Sequence, residues 1–228
     1  LGMGVRVRMG DQVGYAYSED LAPTALETAA RTAAGIANSA TQRHVATPVA
    51  IDLPNHYPVA LPWNDVGIQQ RVELVRKWEK ATFKADERIQ RVEVSLADAE
   101  KVIMVVRPDG RLVEDWRPMT RASIRCTAEG IGPDGQPVRE SNGYNVAGRA
   151  GLEFLDEGRQ KRLVDEAVHR TIFLLDATSP QPGEMPVVLA AGPSAILLHE
   201  AIGHGMEADF NRKRISIYAD KMNQNIAN

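Results

Sequence analysis

Apolar and polar side chains alternate from residue 2 to 17, with Val5, Val7 and Met9 on one side, Arg6 and Arg8 on the other, and Gly10-Asp11 ahead of Val13 to Tyr17. A period of two predicts a β-hairpin. From Asp20 to about Ala40 the period lengthens: Leu26, Ala29, Ala30, Ala33, Ile36 and Ala37 recur at helical spacing, and Pro23 stands where an early helical turn tolerates it. This is an amphipathic helix. Residues 46–64 hold Pro48, Pro54, Pro58 and Pro62 without a sustained period, which reads as an extended connector. After it, Asp65 is placed to cap a helix carrying Ile68, Val72, Val75, Trp78 and Ala81 on its apolar side, with Trp78 as a core anchor.

Strand signals then come in quick succession: Ile89 to Leu96, Lys101 to Arg107, Leu112 to Met119, Ala122 to Glu129 and Val138 to Val146. Ala97-Asp98, Pro108-Asp109-Gly110 and Gly132-Pro133-Asp134-Gly135 separate them as turns, so an antiparallel meander is predicted. A second amphipathic helix over Asp156 to Leu175, with Leu163, Ala167, Val168, Ile172 and Leu175 inward, should cover one face of it. The turn from Pro180 to Pro186 leads into a short apolar strand, Val187 to Ala191, and Gly192-Pro193-Ser194 opens a last helix.

The expected fold class is α+β: an antiparallel sheet (hairpin plus meander) packed against amphipathic helices and ending in the helix that carries the chemistry, truncated before a C-terminal domain. The expected organisation is 1–45 as the end of a first α/β segment, 46–64 as a Pro-rich connector, 65–178 as a middle antiparallel sheet with helices, and 179–228 as the start of a C-terminal region. The chain opens inside a strand pattern and closes without a stop signal, so a piece of a longer protein is expected.

Composition narrows the function classes. With 27 Lys and Arg against 30 Asp and Glu, a net charge of −3 and 43% hydrophobic residues, the sequence describes a globular chain with no bulk attraction for nucleic acid or an anionic membrane. One cysteine, Cys126, excludes an intrachain disulfide, and no secretory leader is visible, so a cytoplasmic location is expected. Cys126 in an apolar strand reads as a small buried hydrophobe. The charge-free run from Met185 to Leu198 is shorter than the roughly 20 apolar residues of a membrane span and reads as a core segment. No glycine-rich loop is followed by Lys-Ser or Lys-Thr, so nucleotide triphosphates are unsupported.

The chemistry concentrates in the last helix, where His199, Glu200 and His204 fall within six residues of an otherwise apolar run. A hydrolytic zinc site needs neutral imidazoles as ligands, an open position for water, and a carboxylate to take that water's proton. Histidines four apart share one face of an α-helix. These are five apart, about 140° round an ideal helix at ~100° per residue, so the helix must deform. A π-bulge, made cheap by Gly203 and Gly205, would return them toward one face. A charged Glu200 in an apolar run also calls for a partner. Glu207 and Asp209 follow one to two turns on, either orienting an imidazole or forming a solvated helix end; spacing leaves both readings open. His44, His56 and His169 are isolated and carry no assignment.

The Gly192-Pro193-Ser194 turn and the run from His199 to Arg212, His-Glu-Ala-Ile-Gly-His-Gly-Met-Glu-Ala-Asp-Phe-Asn-Arg, closely resemble the signature of the TldD/PmbA family, specifically its TldD type. The opening Gly4-Val5-Arg6 hairpin with Gly14-Tyr15-Ala16-Tyr17 resembles that family's early region. The resemblance implies a zinc-dependent peptidase acting on unfolded or flexible peptides. It implies a homodimer, or a heterodimer with a PmbA/TldE-like subunit that lacks the metal motif. It makes His199 and His204 the metal ligands and Glu200 the general base. The third protein ligand it implies is a cysteine far downstream; Cys126 lies upstream and does not match, so this piece alone is expected to bind zinc weakly and to be inactive. The alternatives are a non-catalytic peptide-binding or regulatory subunit, with the His199 to His204 segment merely structural, and a structural assembly protein.

Overall fold

Gly10, at φ +58°, turns the chain between β1 (Met3–Met9) and β2 (Gln12–Ser18), which pair antiparallel from Met3↔Ser18 to Met9↔Gln12. The first helix, α1 (Pro23–Ile36), lies on this hairpin through Ala29 and Ala33. Only small residues fit there: a Cβ on Gly14 would stand 1.8 Å from the Ala33 carbonyl oxygen. The computed structural model describes residues 1–38 and 46–226; the far end of the helix expected to reach Ala40, and His44, lie outside them.

The connector contributes β3 (Val49–Ala50), parallel to the start of a long strand, and a 3₁₀ turn at Trp63–Asp65. Asp65 does not cap the next helix. It belongs to that turn, and α2 (Ile68–Ala85) starts from Gly67 without a side-chain cap.

The meander has three long strands rather than five short ones: β4 (Ile89–Val106), β5 (Arg111–Ile131) and β6 (Pro137–Gly148). β5 is central, pairing antiparallel with β4 from Ile89↔Ala128 to Val106↔Leu112 and with β6 from Thr120↔Gly148 to Ile131↔Pro137. Two Pro-Asp-Gly turns make the reversals, each closed by a glycine at positive φ, Gly110 (+84°) and Gly135 (+78°), whose N–H donates to Arg107 and Gly132 respectively. Ala97-Asp98 is no turn. Asp98 lies within the ladder opposite Thr120, and its carboxylate accepts from Arg71 of α2 at 2.5 Å.

Even-numbered residues of β5 (Thr120, Ala122, Ile124, Cys126 and Ala128) are all buried on one face of the sheet. Against them pack Trp63 from the connector, Trp78 from α2, Leu155 from the turn after β6, and Leu163, Val164 and Ala167 from α3 (Glu157–Leu175). Asp156 caps α3 by accepting from the Arg159 N–H at 2.8 Å. Thr120 ties the layers together, its hydroxyl accepting from the Trp63 indole at 2.6 Å and donating to Ala150 O at 2.6 Å. The Cys126 thiol donates to Ala167 O, and burial pushes its pKa up while Thr171 partly offsets this.

Leu1–Ala177 and Thr178–Asn228 are separate compact units. In the second, residues 187–191 form no strand, because a five-residue apolar stretch needs a neighbouring strand and has none among the described residues. Val187, Val188, Ile196 and Leu197 are exposed rather than a core segment. The helix opened by Gly192-Pro193-Ser194 is broken into α4 (Ser194–Leu198), a π turn (His199–Gly203), a 3₁₀ turn (His204–Met206) and α5 (Ala208–Arg212).

Candidate metal centre

Histidines five apart meet because the helix winds wide between them. The His204 N–H donates to the His199 carbonyl, an i to i+5 bond, and His199–Gly203 is a π turn bounded on both sides by right-handed helical backbone. The extra residue in that turn brings the two rings to 4.4 Å between centroids, edge to face at 73°. His199, Glu200 and His204 each offer an atom to a cluster within 4.8 Å. Among the described residues no other group of three or more His, Cys, Asp or Glu does so.

The two glycines do different work from the one their sequence positions suggest. Neither has positive φ. A Cβ on Gly203 would sit 3.6 Å from His199 Nδ1, an ordinary contact. At Gly205 it would lie 2.5 Å from the Tyr218 ring, so Gly205 is required by close packing after the π turn. Its carbonyl accepts from Asn211 Nδ2 at 3.0 Å and Ser216 Oγ at 2.5 Å. Asn211 also donates to Glu207 O, and Ser216 accepts from the Tyr218 N–H. Asn211, Ser216 and Tyr218 thus fix the chain just past His204, and no periodicity in the sequence marks them.

Glu207 has extended backbone (φ −59°, ψ 135°) between the 3₁₀ turn and α5, which turns its side chain back onto the motif. Its Oε1 lies 2.6 Å from His204 Nδ1. Glu200 Oε2 stands 3.6 Å from the other ring nitrogen, Nε2. The hydrogen bond to Glu207, reinforced by the negative charge of Glu200, holds His204 above the ordinary imidazole pKa. Asp209, in the first turn of α5, makes no bond to either imidazole among the described residues. Glu200 is not the buried charge its apolar neighbours suggest; its side chain is 63% exposed.

The donor set fits a borderline divalent cation: two imidazoles with a carboxylate beside them. With Nδ1–H given to Glu207, the neutral His204 ring keeps the Nε2 lone pair for a metal. Cys126 is buried in the sheet of the first unit and offers nothing to solvent. His56 and His169 belong to no candidate metal group, and Trp63 and Trp78 are core. No helix among the described residues is long and apolar enough to cross a membrane.

Residues 61–175 match the PmbA/TldA metallopeptidase central domain, and residues 182–228 match the C-terminal domain of the same metallopeptidases. A Haemophilus influenzae protein named as a metalloprotease TldD homolog is 32% identical over 99% of this chain and 47% of its own length. A Buchnera aphidicola protein of the same name is 29% identical over the same shares. This chain therefore spans about half the length of the curated relatives it matches. A solved structure of a proposed modulator of DNA gyrase from Bacteroides thetaiotaomicron superposes with a TM-score of 0.69 at 19% identity, over 99% of this chain and 51% of that one. The fold is shared with it.

Proposed function

Because the chain belongs to the TldD/PmbA family of metallopeptidases, we propose that it supplies the metal-binding half-site of a zinc-dependent, TldD-type peptidase that cleaves unfolded or flexible peptides. The observation that carries this reading is the π turn, which gathers His199, Glu200 and His204 from a spacing an α-helix would splay apart. His199 and His204 would hold the metal. When bound, zinc would polarise the scissile carbonyl and acidify the attacking water. Glu200, adjacent in sequence to one ligand and 3.6 Å from the other, takes the proton from that water and delivers it to the leaving amine. Glu207 keeps the His204 ring turned with Nε2 free.

Two imidazoles are one protein ligand short of the usual catalytic zinc site, and no cysteine follows His204 in this sequence. The 228-residue chain on its own accordingly binds zinc weakly and turns over no peptide. The full-length protein would act in the cytoplasm as a homodimer, or as a heterodimer with a PmbA/TldE-like subunit. Replacing Glu200 by Gln in the full-length protein tests the assignment. Zinc measured by elemental analysis stays near one per chain, while peptide cleavage falls by at least about 100-fold, as loss of a general base requires. Full activity in Glu200→Gln refutes the role. Absence of zinc from the full-length protein refutes the site, and if that protein also binds peptides without cleaving them, it favours a peptide-binding subunit.

A further inference from the structure

The sheet of the first unit has a second face, opposite the one that packs on α2 and α3. Odd-numbered positions of β5 point there, flanked in register by β4 and β6: Ala97, Arg121 and Ala147 form one row, Ser95, Ser123 and Asn145 the next, and Glu93, Arg125 and Gly143 the third. These last two rows, together with Arg121, line a concave surface. Arg121 and Arg125 are exposed, and neither side chain has an ion-pair or hydrogen-bond partner among the described residues. Glu93, the nearest carboxylate in register, is held by Arg91 at 2.5 Å. The face from Arg91 and Lys101 on β4 across to Arg139 carries Arg91, Lys101, Arg117, Arg121, Arg125 and Arg139 against Glu93, Asp115 and Glu129. It is net positive on a chain whose total charge is −3.

We propose that this outer sheet face binds an extended, acidic peptide segment, whose carboxylates sit on Arg121 and Arg125 and whose main chain lies over Ser123, Ser95 and Asn145. The inference stands on the sheet alone and does not depend on the metal centre. Guanidinium groups take carboxylates in a planar, two-pronged geometry, and unpaired ones in a trough leave that capacity free. Arg121 and Arg125 are four residues apart on one strand, about 13 Å at the rise of a β-strand, which an extended peptide matches with carboxylates at i and i+4. Alanine at 97 and 147 and glycine at 143 leave the flanks of the two arginines low enough for a chain to approach. Nucleic acid is the poorer occupant: the three rows hold no aromatic residue for stacking, and the surplus cations are fewer than the phosphate contacts of ordinary binders.

Fluorescence anisotropy with the 228-residue chain tests this, using a dye-labelled Ser/Thr-rich peptide with glutamates at i and i+4, its glutamine counterpart, a peptide with glutamates at i and i+1, and a single-stranded oligonucleotide. The acidic peptide binds at least tenfold tighter than the glutamine one. It binds at least threefold tighter than the i, i+1 peptide, whose carboxylates point to opposite sides of an extended chain. Arg121→Gln with Arg125→Gln removes the tenfold preference, whereas Arg76→Gln with Lys80→Gln, the same charge change on exposed α2 positions, leaves it. Equal binding of the acidic and glutamine peptides overturns the proposal, as does an equal loss in the α2 variant. Tighter binding of the oligonucleotide overturns it in favour of a polyanion site. The spacing comparison needs no variant and so holds even where a substitution disturbs folding.

Discussion

Glu207 has the most consequence for its size. A carboxylate 2.6 Å from Nδ1 selects one tautomer of His204 and fixes its ring, and such partners typically contribute 10–100-fold to metal affinity. Glu207→Gln is therefore expected to weaken zinc binding by 10–100-fold in the full-length protein, read by competition with a chelating dye, and Asp209→Asn to change it less than threefold. The same contact sets a titration. Glu207 and Glu200 favour the imidazolium, so in metal-free protein the proton stays on His204 to a higher pH than on an ordinary histidine, near 6.5. NMR of the imidazole should place its midpoint above that value and show it falling toward it in Glu207→Gln. A metal needs the neutral ring, so acid competes with metal from the raised midpoint downward.

Elements were legible where one physical cause made the pattern and misread where two causes overlapped. The hairpin, α1 and α3 follow from apolar period alone, and the Pro-Asp-Gly turns from their chemistry. Ala97-Asp98 looks like a turn because Asp is common in turns, yet Asp98 is there to receive Arg71, a pairing 27 residues away that no local window contains. The π turn was foreseeable, since a spacing of five is incompatible with a shared α-helical face. The partners of Gly205 were not, because they come from an irregular segment. This separates the two glycines experimentally. Gly205→Ala drives a methyl group against the Tyr218 ring and should reduce zinc affinity by tenfold or more. Gly203→Ala meets only an ordinary contact and should stay within about threefold. Chelator competition on both variants distinguishes packing after the turn from backbone freedom within it.

Across the whole chain, burial and chemistry are divided. Among the described residues, every buried hydrophobic residue lies between Ala29 and Leu175, and the sheet with α2 and α3 holds most of them. From residue 178 to 226 no described residue is buried, although that stretch contains the entire His199, Glu200, His204 cluster. Cooperative unfolding reflects apolar surface removed from water, and the denaturant slope scales with the area exposed. A chain ending at Ala177 is thus expected to unfold at the same urea midpoint as the 228-residue chain, within about 0.3 M, with a slope that differs by less than the usual 10–15% uncertainty. Residues 178–228 alone should show no cooperative transition by circular dichroism. A lower midpoint in the shorter chain would mean that the second unit stabilises the first. An unchanged one means that the sheet is a self-sufficient scaffold, and that the order of the metal motif depends on local contacts such as those of Asn211, Ser216 and Tyr218.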